Sequence, residues 1–364
     1  MSSLFDPLQL RDLTIPNRIF LAPMCQYQCE ARDGVPTDWH LVHLGARATG
    51  GFGMIIAEAT GVLPEGRITP QCTGIWNDEQ VAAWRRIVDF CHRQGAAMAV
   101  QLQHAGRKAS VYREWEPNRS GSVPLEDGGW QTIGPSAVPF PGLAVPREAT
   151  LDDLAQVVEA FAAAARRADA AGFDAVELHA AHGYLLFQFL SPLSNHRSDA
   201  YGGDLAGRSR LLLEVTDAVR AVWPEGKPLF VRISATEWTE GGFTVEEATE
   251  VARMLGEHGV DLIDVSSGGN VVAKIPAAPG YQVKLARAVR EAGLPVSAVG
   301  LITEPAQAQE ILDEGSADVV SLARVALREP SWPQRAAAEL DCDAMARYPA
   351  SYLRGRWPAV EPVH

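Results

Sequence analysis

Gly172-Phe-Asp-Ala-Val176, Gly259-Val-Asp-Leu-Ile263 and Gly315-Ser-Ala-Asp-Val-Val320 repeat one short pattern at three places in the chain. Each follows a stretch with helical periodicity and opens an apolar, β-branched run. The glycine supplies a left-handed helix C-cap, and the aspartate turns the chain into the next strand. Working outward, eight such runs are found: Ile19–Met24, Met54–Thr60, Ala97–Gln103, Ala175–Ala181, Leu229–Ala235, Leu262–Ser267, Pro295–Gly300 and Val319–Val325. Between them lie helical stretches such as Asp152–Ala171, Arg208–Val222, Val245–His258 and Glu304–Glu314. Several runs are apolar throughout, as parallel strands buried on both faces must be. Strand and helix in alternation, eight times, predict an α/β fold with a single (β/α)8 TIM barrel and long βα loops. Such a barrel uses about 250 residues, so loops are expected to be large. The largest runs from Arg107 to Thr150 and the second from Gly183 to Gly207, both after strand C-termini, where barrel enzymes keep their active sites.

The chain has 364 residues, with 32 Lys+Arg against 45 Asp+Glu and a formal net charge of −13. An acidic balance argues against a surface that tracks nucleic-acid phosphates or binds an anionic membrane. No apolar segment approaches the length of a membrane helix, and the opening MSSLFDPLQLRD lacks the apolar core of a signal peptide. The five cysteines are odd in number and without C-x-x-C spacing, which disfavours a disulfide framework, a structural zinc site and an iron–sulfur cluster. A cytoplasmic enzyme is expected. Closed α/β barrels exceed the usual residue count per domain, so residues 1–364 read as one domain. No Gly-x-Gly-x-x-Gly follows a strand, so a separate dinucleotide-binding domain has no support.

Chemistry concentrates at the strand ends. The fourth run ends in Glu177-Leu-His179-Ala-Ala-His182-Gly-Tyr184, which puts two imidazoles and a phenol at the barrel mouth. These groups can bind a developing oxyanion and deliver a proton. As a His-x-x-His pair they can also chelate a metal, although a third ligand is not evident. The first run ends in Pro23-Met24-Cys25-Gln26-Tyr27, where Cys25 reads as nucleophile, redox tuner or small filler. The third ends in Gln101-Leu-Gln103-His104, and a buried glutamine there suits either the edge of a heterocycle or a loop-anchoring bond. Arg232, inside Leu-Phe-Val-Arg-Ile-Ser, keeps its charge and so must face an anion or an acidic side chain. Gly300 and Arg324 follow the seventh and eighth runs, whose loops commonly bind phosphate in such barrels. Together these features suggest a phosphorylated heterocyclic cofactor across the mouth.

At these positions the sequence resembles the Old Yellow Enzyme family of FMN-dependent ene-reductases, in the branch of bacterial xenobiotic reductases and thermophilic-like members. The resemblance runs through Leu4-Phe5-Asp6-Pro7, Asn17-Arg18, Ala22-Pro23-Met24-Cys25-Gln26-Tyr27, Glu58-Ala59-Thr60, Gly66-Arg67-Ile68 and Gly74-Ile75-Trp76. It continues through His104-Ala105-Gly106-Arg107-Lys108, His179–Leu185, Leu190–Asn195 with Arg197, Asp199–Gly203 and Arg324. It implies that Pro23, Met24, Cys25, Ala59, Gln101 and Arg232 contact a non-covalent FMN, with Gly300, Ala323 and Arg324 at its phosphate. The family often has glycine where this chain has Ala323. Tyr27, His179, His182 and Tyr184 would line the substrate side. Tyr352-Leu353-Arg354-Gly355 resembles a tail, within about residues 341–364, whose arginine closes a neighbouring subunit's pocket; Arg356 leaves the register open.

The resemblance implies an NADPH dehydrogenase acting as an ene-reductase on small-molecule activated alkenes. NAD(P)H would be the transient hydride donor and turnover ping-pong through flavin N5, with Tyr184 as proton donor and His179 and His182 as catalytic hydrogen-bond donors. Arg232 would stabilise charge on the reduced ring, and Cys25 would tune its potential. A homodimer or homotetramer is expected. The competing readings are a metal-dependent barrel lyase or hydrolase using His179 and His182, a non-enzymatic binder of a phosphorylated ligand, and a flavin demethylase or oxidase on the same barrel.

Overall fold

A computed structural model describes residues 3–357. Eight parallel strands close a barrel: β1 Ile19–Leu21, β2 Met54–Gly61, β3 Ala97–Gln103, β4 Ala175–Ala180, β5 Leu229–Ser234, β6 Leu262–Ser266, β7 Val296–Ala298 and β8 Val319–Leu322. The strands neighbour one another in chain order, and β8 pairs back with β1. The principal helices on the outside are α1 Asp38–Thr49, α2 Asp78–Arg93, α3 Leu151–Ala171, α4 Leu205–Arg220, α5 Val245–Glu257, α6 Val283–Arg290, α7 Pro305–Asp313 and α8 Trp332–Glu339. The (β/α)8 reading of the sequence is therefore correct.

The repeated Gly…Asp pattern has the backbone predicted for it. Gly172, Gly259 and Gly315 take φ values of +93°, +84° and +64°, which glycine adopts without the Cβ penalty. The aspartates do more than turn the chain. Asp174 Oδ2 accepts the Met98 N–H of β3 at 2.8 Å, Asp261 Oδ2 the Leu229 N–H of β5 at 2.8 Å, and Asp318 Oδ2 the Val296 N–H of β7 at 3.0 Å. Each aspartate's own N–H donates back to the carbonyl of the same residue. The carboxylates are held in turn by His92, Arg11 and Arg290. Three reciprocal clasps thus fix neighbouring strands at the lower rim and satisfy strand-end N–H groups that the ladder leaves over.

The sequence reading missed an antiparallel hairpin, Leu8–Leu10 with Leu13–Ile15. Its strands are three residues each, too short for a period to show. It sets Leu8, Leu10 and Ile15 against Phe20, Met54, Ile56 and Phe230, an apolar plug in the lower barrel. Three strands also stop two or three residues short of their apolar runs, at Leu21, Ala298 and Leu322. Past those points the chain leaves the sheet: Pro23 has no N–H to give a ladder, and Gly300 turns at a φ of +131°. Helix α4 begins three residues before the expected Arg208, because Asp204 caps it by accepting the Gly207 N–H at 2.9 Å. The Arg107–Thr150 excursion carries two paired two-residue strands, Ile133–Gly134 and Arg147–Glu148. Of the tail expected over 341–364, residues 358–364 lie outside the described residues.

Replacing Asp261 with alanine should strip the Leu229 N–H of its side-chain acceptor and the Arg11 Nε of its carboxylate together. Urea unfolding should then show a loss of about 2 kcal/mol, with the native circular dichroism retained before the transition.

Candidate active site

The inward positions of the strands alternate with outward ones, so their upper members form the floor of the mouth. From β4 come Glu177 and His179, from β5 Arg232 and Ser234, from β6 Asp264 and Ser266, and from β3 Gln101 and Gln103, all buried.

His179 stacks edge-on against His182 and Tyr184, with ring centroids 5.1 and 4.9 Å away. The Ala181 N–H donates to His179 Nδ1 at 3.3 Å, which leaves the proton of the neutral ring on Nε2. That nitrogen faces His182 Nδ1 at 3.4 Å, and His182 Nε2 faces the Ser266 hydroxyl at 2.7 Å. One assignment serves all three contacts: His179 donates to His182, and His182 to Ser266. Both N–H groups are therefore engaged inside the protein, and a substrate oxygen would have to replace those acceptors. Burial, then the nearby cations, holds both imidazoles well below their usual pKa, so they are neutral donors. Burial also pushes the Tyr184 and Tyr27 phenols and the Cys25 thiol well up, so all three keep their protons.

Tyr27 and His182 both sit at positive φ, +51° and +56°, an uncommon conformation for residues with a Cβ. Each is held from outside. The Gln26 N–H is fixed by Glu58 Oε2 at 2.9 Å, and the His182 N–H by Ser234 Oγ at 2.9 Å. Lys108 ties the mouth together, donating to the carbonyls of His182 and Gly269 at 2.8 Å each. Its ammonium also lies 4.9 Å from the ring centroids of Tyr184 and Phe140. Burial lowers its pKa to about 8. Beneath it the loops touch backbone to backbone: a Cβ on Gly183 would fall 2.3 Å from Asn270 Cα, and one on Gly269 2.7 Å from His182 Cα.

Two cavities open on this floor. One, of about 370 Å³, is lined by Tyr27, Lys108, Tyr112, Phe140, Leu143 and Tyr184. The other, of about 210 Å³, is lined by Arg232, Ser266, Gly300, Ala323, Arg324 and Arg328. Arg324 and Arg328 are exposed and have no carboxylate partner among the described residues. In so acidic a chain, two unpaired guanidiniums beside the open backbone of Gly300 suit an anionic group. A Cβ at Gly300 would meet Tyr281 and Gln282 at 3.1–3.2 Å. Ala323 has a φ of −114°, outside the left-handed region, so its methyl carries no φ penalty where the family often has glycine.

Residues 3–343 match the NADH:flavin oxidoreductase / NADH oxidase family. The chain belongs to that family. It is thus a flavin oxidoreductase of the Old Yellow Enzyme group, with FMN as cofactor and a nicotinamide dinucleotide as electron donor. It is 48% identical over 354 residues to the NADPH dehydrogenase of Geobacillus thermodenitrificans, covering 97% of this chain and 98% of that one. It is 43% identical to the NADPH dehydrogenase of Bacillus subtilis, again over 97% and 98%. Among solved structures it is similar to the Old Yellow Enzyme homologue from Zymomonas mobilis, with a TM-score of 0.78, 32% identity and 92% of each chain covered. It is also similar to morphinone reductase in complex with tetrahydroNAD, at a TM-score of 0.77, 30% identity and coverage of 94% and 92%.

The oxidoreductase brings together nearly every residue singled out from its sequence. Tyr27 and Tyr184 line one cavity; Arg232, Gly300, Ala323 and Arg324 line the other. Cys25 and Tyr27 pack beside Ala59. Arg232 has an acidic partner, Asp264, at 3.1 Å. Gln101 spends its amide N–H on Glu177 Oε2 at 2.5 Å. Arg354 is exposed on the tail and does not line either cavity of its own chain. Sequence reasoning passed over Lys108, Ser266, Asp264 and Arg328 as site residues. Arg328 was findable, since it lies one helical turn after Arg324. Among the described residues no set of three or more His, Cys, Asp or Glu side chains is placed to hold a metal with His179 and His182.

Imidazole titration by NMR should separate the nine histidines. His104, lowered by burial to about 4, and His179 and His182, both held well below the ordinary value, should stay neutral from pH 8 down to pH 5.5. His92, raised by its bond to Asp174, should titrate above the ordinary histidine value.

Proposed function

We propose that this chain is an ene-reductase: it takes hydride from NAD(P)H, with NADPH the favoured donor, and reduces electron-poor C=C bonds of enones and related activated alkenes. The observation that carries this reading is Tyr184, a phenol kept protonated by burial, its ring centroid 4.9 Å from that of His179, at the edge of the cavity it shares with Tyr27. Bound FMN supplies the hydride chemistry in both halves of a ping-pong cycle.

The side chains do the rest. His179 and His182 turn their N–H groups from each other and Ser266 to the substrate's carbonyl or nitro oxygen, drawing electron density from the β-carbon. Tyr184 gives its proton to the α-carbon, and Lys108 over its ring offsets the negative charge left on the phenolic oxygen. Arg232 would hold the electron-rich edge of the bound cofactor with its fixed positive charge. Pro23, Met24, Cys25, Ala59 and Gln101 would line the flavin ring, with Cys25 tuning its potential as a neutral thiol. Gly300, Ala323 and Arg324 would hold the phosphate, joined by Arg328. The 364 residues act as one catalytic domain in the cytoplasm, where unpaired thiols persist. Two or four copies assemble, and Arg354 of one closes the pocket of another. Its exposure on a tail that also presents Tyr352, Leu353 and Trp357 to solvent supports that reading.

The purified protein should be yellow, bleach on anaerobic addition of NADPH, and regain its colour when 2-cyclohexenone follows. Colour that bleaches and never returns with any enone, maleimide or nitroalkene would remove the ene-reductase reading and leave the flavin oxidoreductase. In stopped flow, Tyr184→Phe should slow the recovery of colour at least about a hundredfold and leave bleaching nearly unchanged.

A further inference from the structure

Four inward polar side chains on consecutive strands lie beneath the mouth in two steps, Gln101 and Glu177 level with Phe230, and Arg232 and Asp264 level with His179. The register sets Gln101 beside Glu177 and Arg232 beside Asp264. Arg232 Nε lies 3.1 Å from Asp264 Oδ2, and Gln101 is the hydrogen-bond partner of Glu177. Glu177 Oε1, both Asp264 oxygens and Arg232 Nε are buried without an aligned hydrogen bond. Ser297 and Ser321 face the same space from β7 and β8; their hydroxyls bond each other at 2.6 Å, and Ser297, the register neighbour of Asp264, also favours the charged form of that carboxyl. Below lie Phe20, Met54, Ile56 and Leu262, all apolar. Above, on Glu177's own strand, is the neutral His179.

The charges in this layer do not balance. One guanidinium that cannot lose its proton faces two carboxyls, so full ionisation would strand a negative charge in a dry interior. Groups so placed neutralise instead. Asp264 is the carboxyl in contact with the cation. Glu177 feels the same guanidinium only at a distance, and its one hydrogen-bond partner is an uncharged amide, so the proton belongs there.

We propose that Glu177 is a neutral carboxylic acid in the working enzyme, a positioning residue whose neutrality leaves Arg232 paired with Asp264 alone and its charge available to bound FMN. This rests on the placement of the flavin against Arg232. Burial, then the Asp264 charge, raises the Glu177 carboxyl well above the usual carboxylate range, so its ionisation is to be sought on the alkaline side. Asp264 is also raised by burial, and Arg232 opposes that rise.

The experiment compares the reduction potential of bound FMN in wild type and Glu177→Gln, whose amide is isosteric with the acid. At pH 6.5 the two should coincide. At pH 9.5 the wild type should be harder to reduce by at least about tenfold in equilibrium constant, about 30 mV for a two-electron couple, because only there does it carry the extra anion. An equal gap at both pH values would mean that Glu177 is already ionised, and no gap at either would mean that it does not act on the flavin; both overturn the proposal. Infrared spectroscopy of the wild-type holoenzyme checks the acid without any variant. A protonated-carboxyl C=O band should be present at pH 6.5 and fade towards pH 9.5, and its absence at pH 6.5 overturns the neutral state. Arg232→Met separates the two premises: an unmoved potential there overturns the placement of the flavin, independently of what the band reports.

Discussion

The reciprocal clasps of Asp174, Asp261 and Asp318 are the constraint from which the rest of this barrel follows. Each ties a strand's first turn of ladder to its neighbour by a side-chain and a backbone hydrogen bond to one residue. Side chains alternate along a strand with period two, so a slip of one residue would send every inward group outward. Register at the lower rim therefore decides what appears at the upper one. With it fixed, Phe230, Arg232 and Ser234 face inward in ascending order on β5, and Ala175, Glu177 and His179 on β4. The apolar lower barrel and the polar mouth are consequences of one alignment.

Dryness, more than charge, prepares the mouth for its chemistry. The chain carries a net charge of −13, yet the groups at the site are neutral acids and neutral donors beside a few cations. Burial is the largest cause of that state, because it penalises the ionised form of an imidazole, a phenol and a thiol alike, and neighbouring charges push the same way. Four of the cations at the two cavities, Lys108 and Arg232 at the floor and Arg324 and Arg328 at the rim, stand where an electron-rich cofactor and substrate would meet them.

Legibility followed the length scale of each signal. The strands and helices were readable because apolar runs of five or more residues and helical periods survive without partners, and Gly172, Gly259 and Gly315 punctuate them. The Leu8–Ile15 hairpin was not, since three-residue strands carry no period of their own. Among site residues, His179, His182 and Tyr184 stood out because they cluster within six positions, and Arg232 because an arginine in an apolar strand demands a partner. Its partner could not be read. Asp264 lies 32 positions further on, inside Leu-Ile-Asp-Val-Ser, and becomes its neighbour only through the β5–β6 register. Lys108 was hidden in a different way. Its value to the site comes from two backbone carbonyls and two aromatic faces, which a residue list does not display.

The backbone contact between Gly183 and Gly269 bears on how such a pocket can be reshaped by design or drift. With no room for even a methyl group on either side, the segment carrying His182 and the segment after β6 move as one piece, cross-linked by Lys108. Substitution there perturbs both at once. The wall supplied by Tyr112, Phe140 and Leu143 belongs to the part of the long excursion beyond Lys108, residues 109–150, where side chains can be exchanged with the Lys108 cross-link to the histidine segment left as it is. New acceptors are therefore most readily accommodated from that side, and a library confined to it varies selectivity while sparing the reactive groups.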